Sequence, residues 1–389
     1  MDNRGFVVDE QICVVGVTQG HSKECVAVYK GGKSFQLCVN QAEEGAQTTG
    51  VPICGKMNDV ELRKILLKYP CALRLSDNEC EETRVRTDRG DILVAMQGDR
   101  SKPAIVTYHD LGLNNLCFRT FFNYVDMRAL LENFCVYHVN APGQEEGAAT
   151  LPEDYAYPTM DDLANQLNYV LAHFELRSCV GFGLGAGAHI LAKFALSNPD
   201  KVDGLVLINC ISTSPGWIEW GYQKINNRTL RSSGVTRSML DYLIWYHFGR
   251  FPEDRNPDLV ATYRNYFARN VNATNLALLT ESYVRRTDLG IERSGSTLRV
   301  PVLNITGADS PHVGDTVVFN GRLNPNISTW MKISDCAMLM EEQPRKLSEA
   351  FRLFLQGEGY AVLELQRLKP PSPVVIVDSS PEIPIYVID

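Results

Sequence analysis

One stretch constrains this chain more than any other: Gly181-Phe182-Gly183-Leu184-Gly185-Ala186-Gly187-Ala188. It follows Leu176 to Val180 and leads into the helix-like segment Ala186 to Leu196. A strand that turns through small residues directly into a helix has the geometry of a nucleophile elbow, whose usual frame is Gly-x-Ser-x-Gly. Here the frame reads Gly183-Leu184-Gly185-Ala186-Gly187, so the nucleophile position holds Gly185, which has no attacking atom. An elbow serine sits in a strained backbone region at a cost of about 1–3 kcal/mol. Glycine adopts such angles without that cost, so Gly185 is expected to relax the turn.

The segments around the elbow alternate. Ala104 to Tyr108, Phe134 to Val139, the elbow strand, Gly204 to Ile208, Val300 to Ile305 and Thr329 to Ile333 read as buried strands. Between them lie amphipathic helices. One opens at Thr159 with Asp162 and places Leu163, Leu167, Val170, Leu171 and Phe174 on one face; another closes the series over Lys346 to Leu355. Buried strands alternating with such helices indicate a mostly parallel central sheet with helices on both faces. Glu82 to Thr87 and Ile92 to Gly98 add a hairpin around Asp88-Arg89-Gly90. With the elbow, this predicts an α/β-hydrolase fold over 80–360, interrupted by an aromatic-rich helical cap over about 212–295.

Residues 1–75 read as a separate small α+β extension of unknown role. It holds two strands, Glu24 to Tyr29 and Ser34 to Val39, joined through Gly31-Gly32, and a helix capped by Asn58 with Glu61. Gly32-Lys33-Ser34 is not a phosphate loop, because the first glycine of that motif would fall on Ala27 and the context is a hairpin. Residues 369–389 are proline-rich with charges at no helical spacing and read as a disordered or extended tail.

Hydrolysis on this fold needs a nucleophile at the elbow, an acid after the next-to-last strand and a histidine after the last. Asp309 fills the acid position as a relict. The histidine should lie in Asp335-Cys336-Ala337-Met338-Leu339, where Met338 stands instead, and His312 is the last histidine in the chain. No catalytic residue is therefore assigned. His109 and Asp110 lie on the loop that usually shapes the oxyanion hole and are candidate binding or loop-holding residues. His189 in the elbow helix reads as packed, Cys210 and Cys336 as inert thiols, and the cap aromatics as core. Two other readings stay open. One is a cryptic hydrolase using Cys210, or a water held by Asp309 and His109. The other is a dinucleotide binder built on Gly181-x-Gly183-x-x-Ala186, whose following strand lacks the acid that would hold a ribose.

The net charge of −8 disfavours a dedicated nucleic-acid or anionic-membrane surface. Eleven scattered cysteines without a Cys-x-x-Cys pair exclude a zinc ribbon and suit a reducing compartment. No signal peptide or transmembrane segment is expected, and neither is a metal or cofactor. The sequons at Asn227, Asn272, Asn304 and Asn326 are then expected to stay unmodified.

Together His109-Asp110-Leu111-Gly112, Asn140-Ala141-Pro142-Gly143-Gln144, Gly183-Leu184-Gly185-Ala186-Gly187-Ala188, Leu205-Val206-Leu207-Ile208-Asn209 and Gly216-Trp217 resemble the N-myc downstream-regulated (NDRG) family, from about Glu81 to Tyr360. The resemblance implies a non-catalytic α/β-hydrolase-like pseudoenzyme. It further implies a cytoplasmic protein linked to signal transduction, stress response, differentiation and trafficking. The expected role is then that of a binding or adaptor protein with protein partners, and the pocket beneath the cap is a candidate site for a small apolar ligand or peptide. Residues 1–75 depart from the family. So does the tail, which offers Ser372-Pro373 and Ser380-Pro381 as possible phosphorylation sites in place of basic, serine-rich repeats.

Overall fold

The computed structural model describes residues 13–20, 23–30, 33–39, 80–249 and 251–360, and the chain divides into two compact units, Met1–Leu67 and Lys68–Asp389. In the first unit, β1 (Cys13–Gly20), β2 (Lys23–Lys30) and β3 (Lys33–Val39) form an antiparallel sheet in that order. Lys30 pairs with Lys33 where the two expected strands meet, and β1 adds a strand beyond those two. The helix expected from Asn58 and the tail with Ser372 and Ser380 lie outside the described residues.

The second unit is built on an eight-stranded sheet. Its strands are β4 (Glu81–Thr87), β5 (Gly90–Gln97), β6 (Ala104–Tyr108), β7 (Cys135–Val139), β8 (Cys179–Leu184), β9 (Val202–Ile208), β10 (Val302–Gly307) and β11 (Ser328–Ile333), in the order β11-β10-β9-β8-β6-β7-β5-β4. The strands from β7 to β11 run parallel to their neighbours; β5 is antiparallel to β7, and the β4–β5 hairpin ends the sheet. Every residue of β6, β7, β8 and β10 is buried, as strands covered on both faces must be.

Adjacent side chains on β8 identify what covers each face, because they point to opposite sides. Phe182 packs on one side against Phe118, Phe121 and Phe122 of α1 (Asn115–Phe122), with ring centroids 5.7–5.9 Å apart. On the same side it meets Phe351 of α11 (Pro344–Gly357) at 5.1 Å. Gly181 faces Leu191 on the other side. Leu191 belongs to α4 (Ala186–Ser197), which packs along α3 (Met160–His173). Thr159 and Asp162 form the capping box that starts α3, as their spacing predicts. The short α2 (Val125–Leu131) packs on α11. Asn304, inside β10, is fully buried and donates Nδ2 to the Thr316 carbonyl, so the folded chain offers no glycosylation site there.

Four helices intervene between β9 and β10: α5 (Trp217–Ser233), α6 (Arg237–Phe248), α7 (Pro257–Asn270) and α8 (Ala273–Val284). After β10 come α9 (Val313–Arg322) and, beyond β11, the short α10 (Leu339–Glu342). Tyr263 of α7 ties the intervening helices to α10 by donating its hydroxyl to Glu341 Oε1 at 2.6 Å. Burial pushes the Glu341 carboxyl up to about 7, and Glu342 beside it acts in the same direction while the tyrosine bond opposes. A carboxyl whose folded value exceeds its ordinary one contributes stability at low pH that is lost as pH rises through the folded value. Glu341→Gln is therefore expected to gain melting temperature relative to the unmodified chain between pH 5 and pH 8. Thermal melts across that range would refute the buried proton if the two curves stayed parallel.

Candidate functional site

The parallel strands end together at one edge of the sheet. Tyr108 is opposite Gly183, and Ile208 is paired to both Leu184 and Ile305. Ligand sites of open α/β sheets lie at this edge. Here β8 turns at Gly185 into α4, and the backbone of Gly185 is at φ +52, ψ −110. The left-handed elbow is thus retained, which corrects the expectation that glycine would relax it: the turn stays, and glycine removes its conformational cost. Gly187 has a second reason to be glycine, since a Cβ there would lie 2.0 Å from the Tyr108 carbonyl oxygen. The helix and the β6 end could not approach with any larger residue.

The space where an elbow serine would begin is occupied. A Cβ added at Gly185 would lie 1.9 Å from Asp110 Oδ2 and 2.1 Å from its Cγ. Asp110 Oδ1 accepts hydrogen bonds from the backbone N–H of Leu111 at 2.8 Å, from that of Ala186 at 2.9 Å and from the Tyr246 hydroxyl at 3.1 Å. In a working enzyme of this architecture the oxyanion hole is built from the N–H after the nucleophile and an N–H of the loop where Leu111 stands. One internal carboxylate therefore takes both donors and the nucleophile's space. Burial raises the Asp110 carboxyl above its ordinary range, opposed by His247 and by these hydrogen bonds.

His109 is buried beside it and holds the loops together. Ala141 N–H donates to His109 Nε2 at 3.0 Å, which leaves the ring proton on Nδ1 to donate to the Asp110 carbonyl at 2.9 Å. Burial holds this imidazole down at about 4, so it is neutral at physiological pH. Neither His109 nor Asp110 presents the open face that a ligand contact at these residues would use.

Above Tyr246 lies a cavity of about 770 Å³, lined by residues that include Tyr242, Trp245, Tyr246 and His312. The Tyr246 and His312 rings meet edge to face at 4.5 Å. Tyr246 thus separates the cavity from Asp110. Asp309, at the position expected for the acid, follows β10 and donates its backbone N–H to the Cys336 carbonyl at 3.0 Å. Its carboxyl is raised by partial burial and by Asp254 and Asp335 nearby. Met338, at the expected base position, is buried and donates its N–H to Glu342 Oε2 at 2.8 Å. Among the described residues no group of three His, Cys, Asp or Glu side chains is placed to hold a metal ion.

The Ndr family profile matches residues 82–362. This chain belongs to the Ndr family. Protein NDRG3 of Xenopus tropicalis is 41% identical over 311 residues, covering 77% of this chain and 79% of that protein. Protein NDRG1 of the same species is 41% identical over 314 residues, 78% of each. Among solved structures, a thermophilic esterase from Thermogutta terrifontis matches with a TM-score of 0.60 at 18% identity, over 72% of this chain and 99% of that one. The enol-lactonase from Burkholderia xenovorans LB400 matches with 0.57 at 17% identity, over 70% and 100%. At that identity the likeness carries the α/β-hydrolase fold alone.

The remaining candidates in this Ndr chain are bonded or buried. His189 Nδ1 bonds the Ile211 carbonyl at 2.8 Å, and burial holds the ring down at about 4. Burial pushes the Cys336 thiol up to about 12 and raises Cys210 further, so both are protonated thiols rather than nucleophilic thiolates. Tyr246 is the residue the sequence did not single out. It stands in an aromatic run, and nothing in that run distinguishes the ring that reaches Asp110 from its neighbours. The aromatics between β9 and β10 divide: Tyr246, Phe248, Tyr263 and Phe267 are core, whereas Trp217, Trp220 and Tyr222 are exposed. No helix among the described residues is long and apolar enough to cross a membrane.

Proposed function

We propose that this Ndr-family chain is a non-catalytic α/β-hydrolase-fold protein that works by binding, as an adaptor in cytoplasmic signal transduction, stress response or differentiation. The observation that carries the reading is the Asp110 carboxylate seated on Leu111 N–H and Ala186 N–H, against a glycine at the nucleophile position. An acyl transfer needs those donors free for a developing oxyanion, and a carboxylate already there repels one. The absence of a histidine after His312 removes the usual base. Binding is supported by the exposed apolar side chains of α5, where Trp217 is 83% and Ile225 68% exposed. Large apolar side chains left in water on one helix are what a binding surface offers.

The test is an ester panel of short- and medium-chain p-nitrophenyl esters, run with serine- and thiol-directed activity probes on the purified chain, on Asp309→Asn and on Cys210→Ala. No turnover above the buffer rate and no labelling are expected. Turnover lost in either variant would sink the proposal and identify a different catalytic arrangement.

A further inference from the structure

The cavity above Tyr246 has a wall chemistry that selects its occupant. Tyr242 is the middle ring of its aromatic wall, with ring centroids 6.5 Å from Tyr222, 5.8 Å from Trp245 and 5.9 Å from Tyr246. All four rings line the cavity. Three carboxylates, Glu219, Asp241 and Asp315, line it with them, Glu219 paired with Arg286 and Asp241 with Arg264 behind the wall, and among the described residues no lysine or arginine lines it. We infer that this cavity binds an organic cation, with an alkylammonium head seated against the Tyr242, Trp245 and Tyr246 rings. The inference rests on the binding-protein reading and names the class of small molecule that such a protein would hold.

Three ligand classes can be weighed by what they would meet. A small anion would face carboxylates, and the buried guanidinium of Arg286 is already engaged by Glu219. Arg286, whose side chain is 1% exposed, holds Glu219 through Nη1 and Nη2 at 2.8 and 2.9 Å and the Thr213 carbonyl through Nε at 2.9 Å. A neutral apolar molecule would displace water from the carboxylate-bearing part of the wall without adding a charge to face it. An alkylammonium gains from both parts of the wall. Its charge is attracted to the negative faces of the rings, and the carboxylates set a favourable field. Its methyl groups cover apolar surface, and its diffuse charge loses less hydration than a compact ammonium. Asp241 is shared with Arg264 at 2.7 Å, but that pair is solvent-exposed and worth little. At about 770 Å³ the cavity exceeds such a head alone, so the bound molecule extends beyond it.

The experiment compares choline with its uncharged carbon isostere 3,3-dimethyl-1-butanol and with the anion 3,3-dimethylbutanoate, by ligand-observed NMR at pH 8, where solvated imidazoles are neutral. Choline is expected to bind at least fivefold tighter than the alcohol and to outcompete the anion. Trp245→Ala is expected to weaken choline about tenfold, in the range of a desolvated cation–π contact, and Asp315→Asn, separately, to weaken it severalfold through the lost charge, with both variants folded by circular dichroism. Equal binding of choline and the alcohol, tighter binding of the anion, binding unchanged in both variants, or no binding of choline would each overturn the inference. Acetylcholine hydrolysis is followed in the same samples. Turnover there would overturn the non-catalytic reading and leave the cation seat standing, so the two fail separately.

Discussion

Gly185→Ser is expected to lower stability by about 3–5 kcal/mol and to yield no esterase activity. Two costs add. The backbone at φ +52, ψ −110 is a region that a residue with a Cβ occupies at about 1–3 kcal/mol. The new Cβ would also fall 1.9 Å from Asp110 Oδ2. That oxygen belongs to no flexible side-chain end free to swing, because the carboxylate is buried and its other oxygen holds three hydrogen bonds. Gly185→Ala should lose nearly as much, since the conflict lies with the Cβ and not with the hydroxyl. Pairing Gly185→Ser with Asp110→Ala should cost clearly less than the sum of the two single changes, because the second removes the group that the first strikes. Urea midpoints at constant m measure all four chains. An unchanged midpoint in Gly185→Ser would mean that the carboxylate moves aside easily, and the account of a filled oxyanion site would go with it.

What was legible in the sequence divides at the range of the interactions. The elbow, the Thr159–Asp162 capping box and the parallel strands are local patterns of small, polar and apolar residues, and each appears at or within a few residues of its expected place. The alternation of strands and helices implied a mostly parallel sheet and left the order of its strands open. The role of Asp110 was not legible. Its bond to Ala186 spans 76 positions, and its bond from Tyr246 spans 136. No spacing rule connects residues so far apart; only the convergence of the β6 end, the elbow and α6 brings them together. For the same reason a glycine at the nucleophile position read as a released strain, when its neighbours in space show that a side chain has no room there. The cavity was foreseen only as space under a cap, because which aromatics turn inward depends on how α5 and α6 pack. The β1 strand was missed because an apolar run of that length carries no partner in its own sequence.

Asp110→Ala is expected to cost about 2–4 kcal/mol, and Asp110→Asn less than half of that. Alanine orphans the N–H groups of Leu111 and Ala186 inside the protein and leaves the Tyr246 hydroxyl without its acceptor. A buried donor left unsatisfied costs about 1–3 kcal/mol. Part of this is offset, since the burial that raises the Asp110 carboxyl is no longer endured. Asparagine keeps an oxygen where Oδ1 accepts all three bonds, in a side chain of the same shape, and loses only the charge-assisted part. The two variants also separate by rescue. Alanine opens a space with two converging N–H donors, which a small carboxylate can fill, and any ligand that binds only the folded chain raises its stability. Added acetate should therefore raise the melting temperature of Asp110→Ala above the increment that equal chloride produces, and leave Asp110→Asn and the unmodified chain where they are. If acetate acts on all three alike, the vacated donors do not form an anion site. The carboxylate of Asp110 would then be a loop fastening and no occupant of an oxyanion hole.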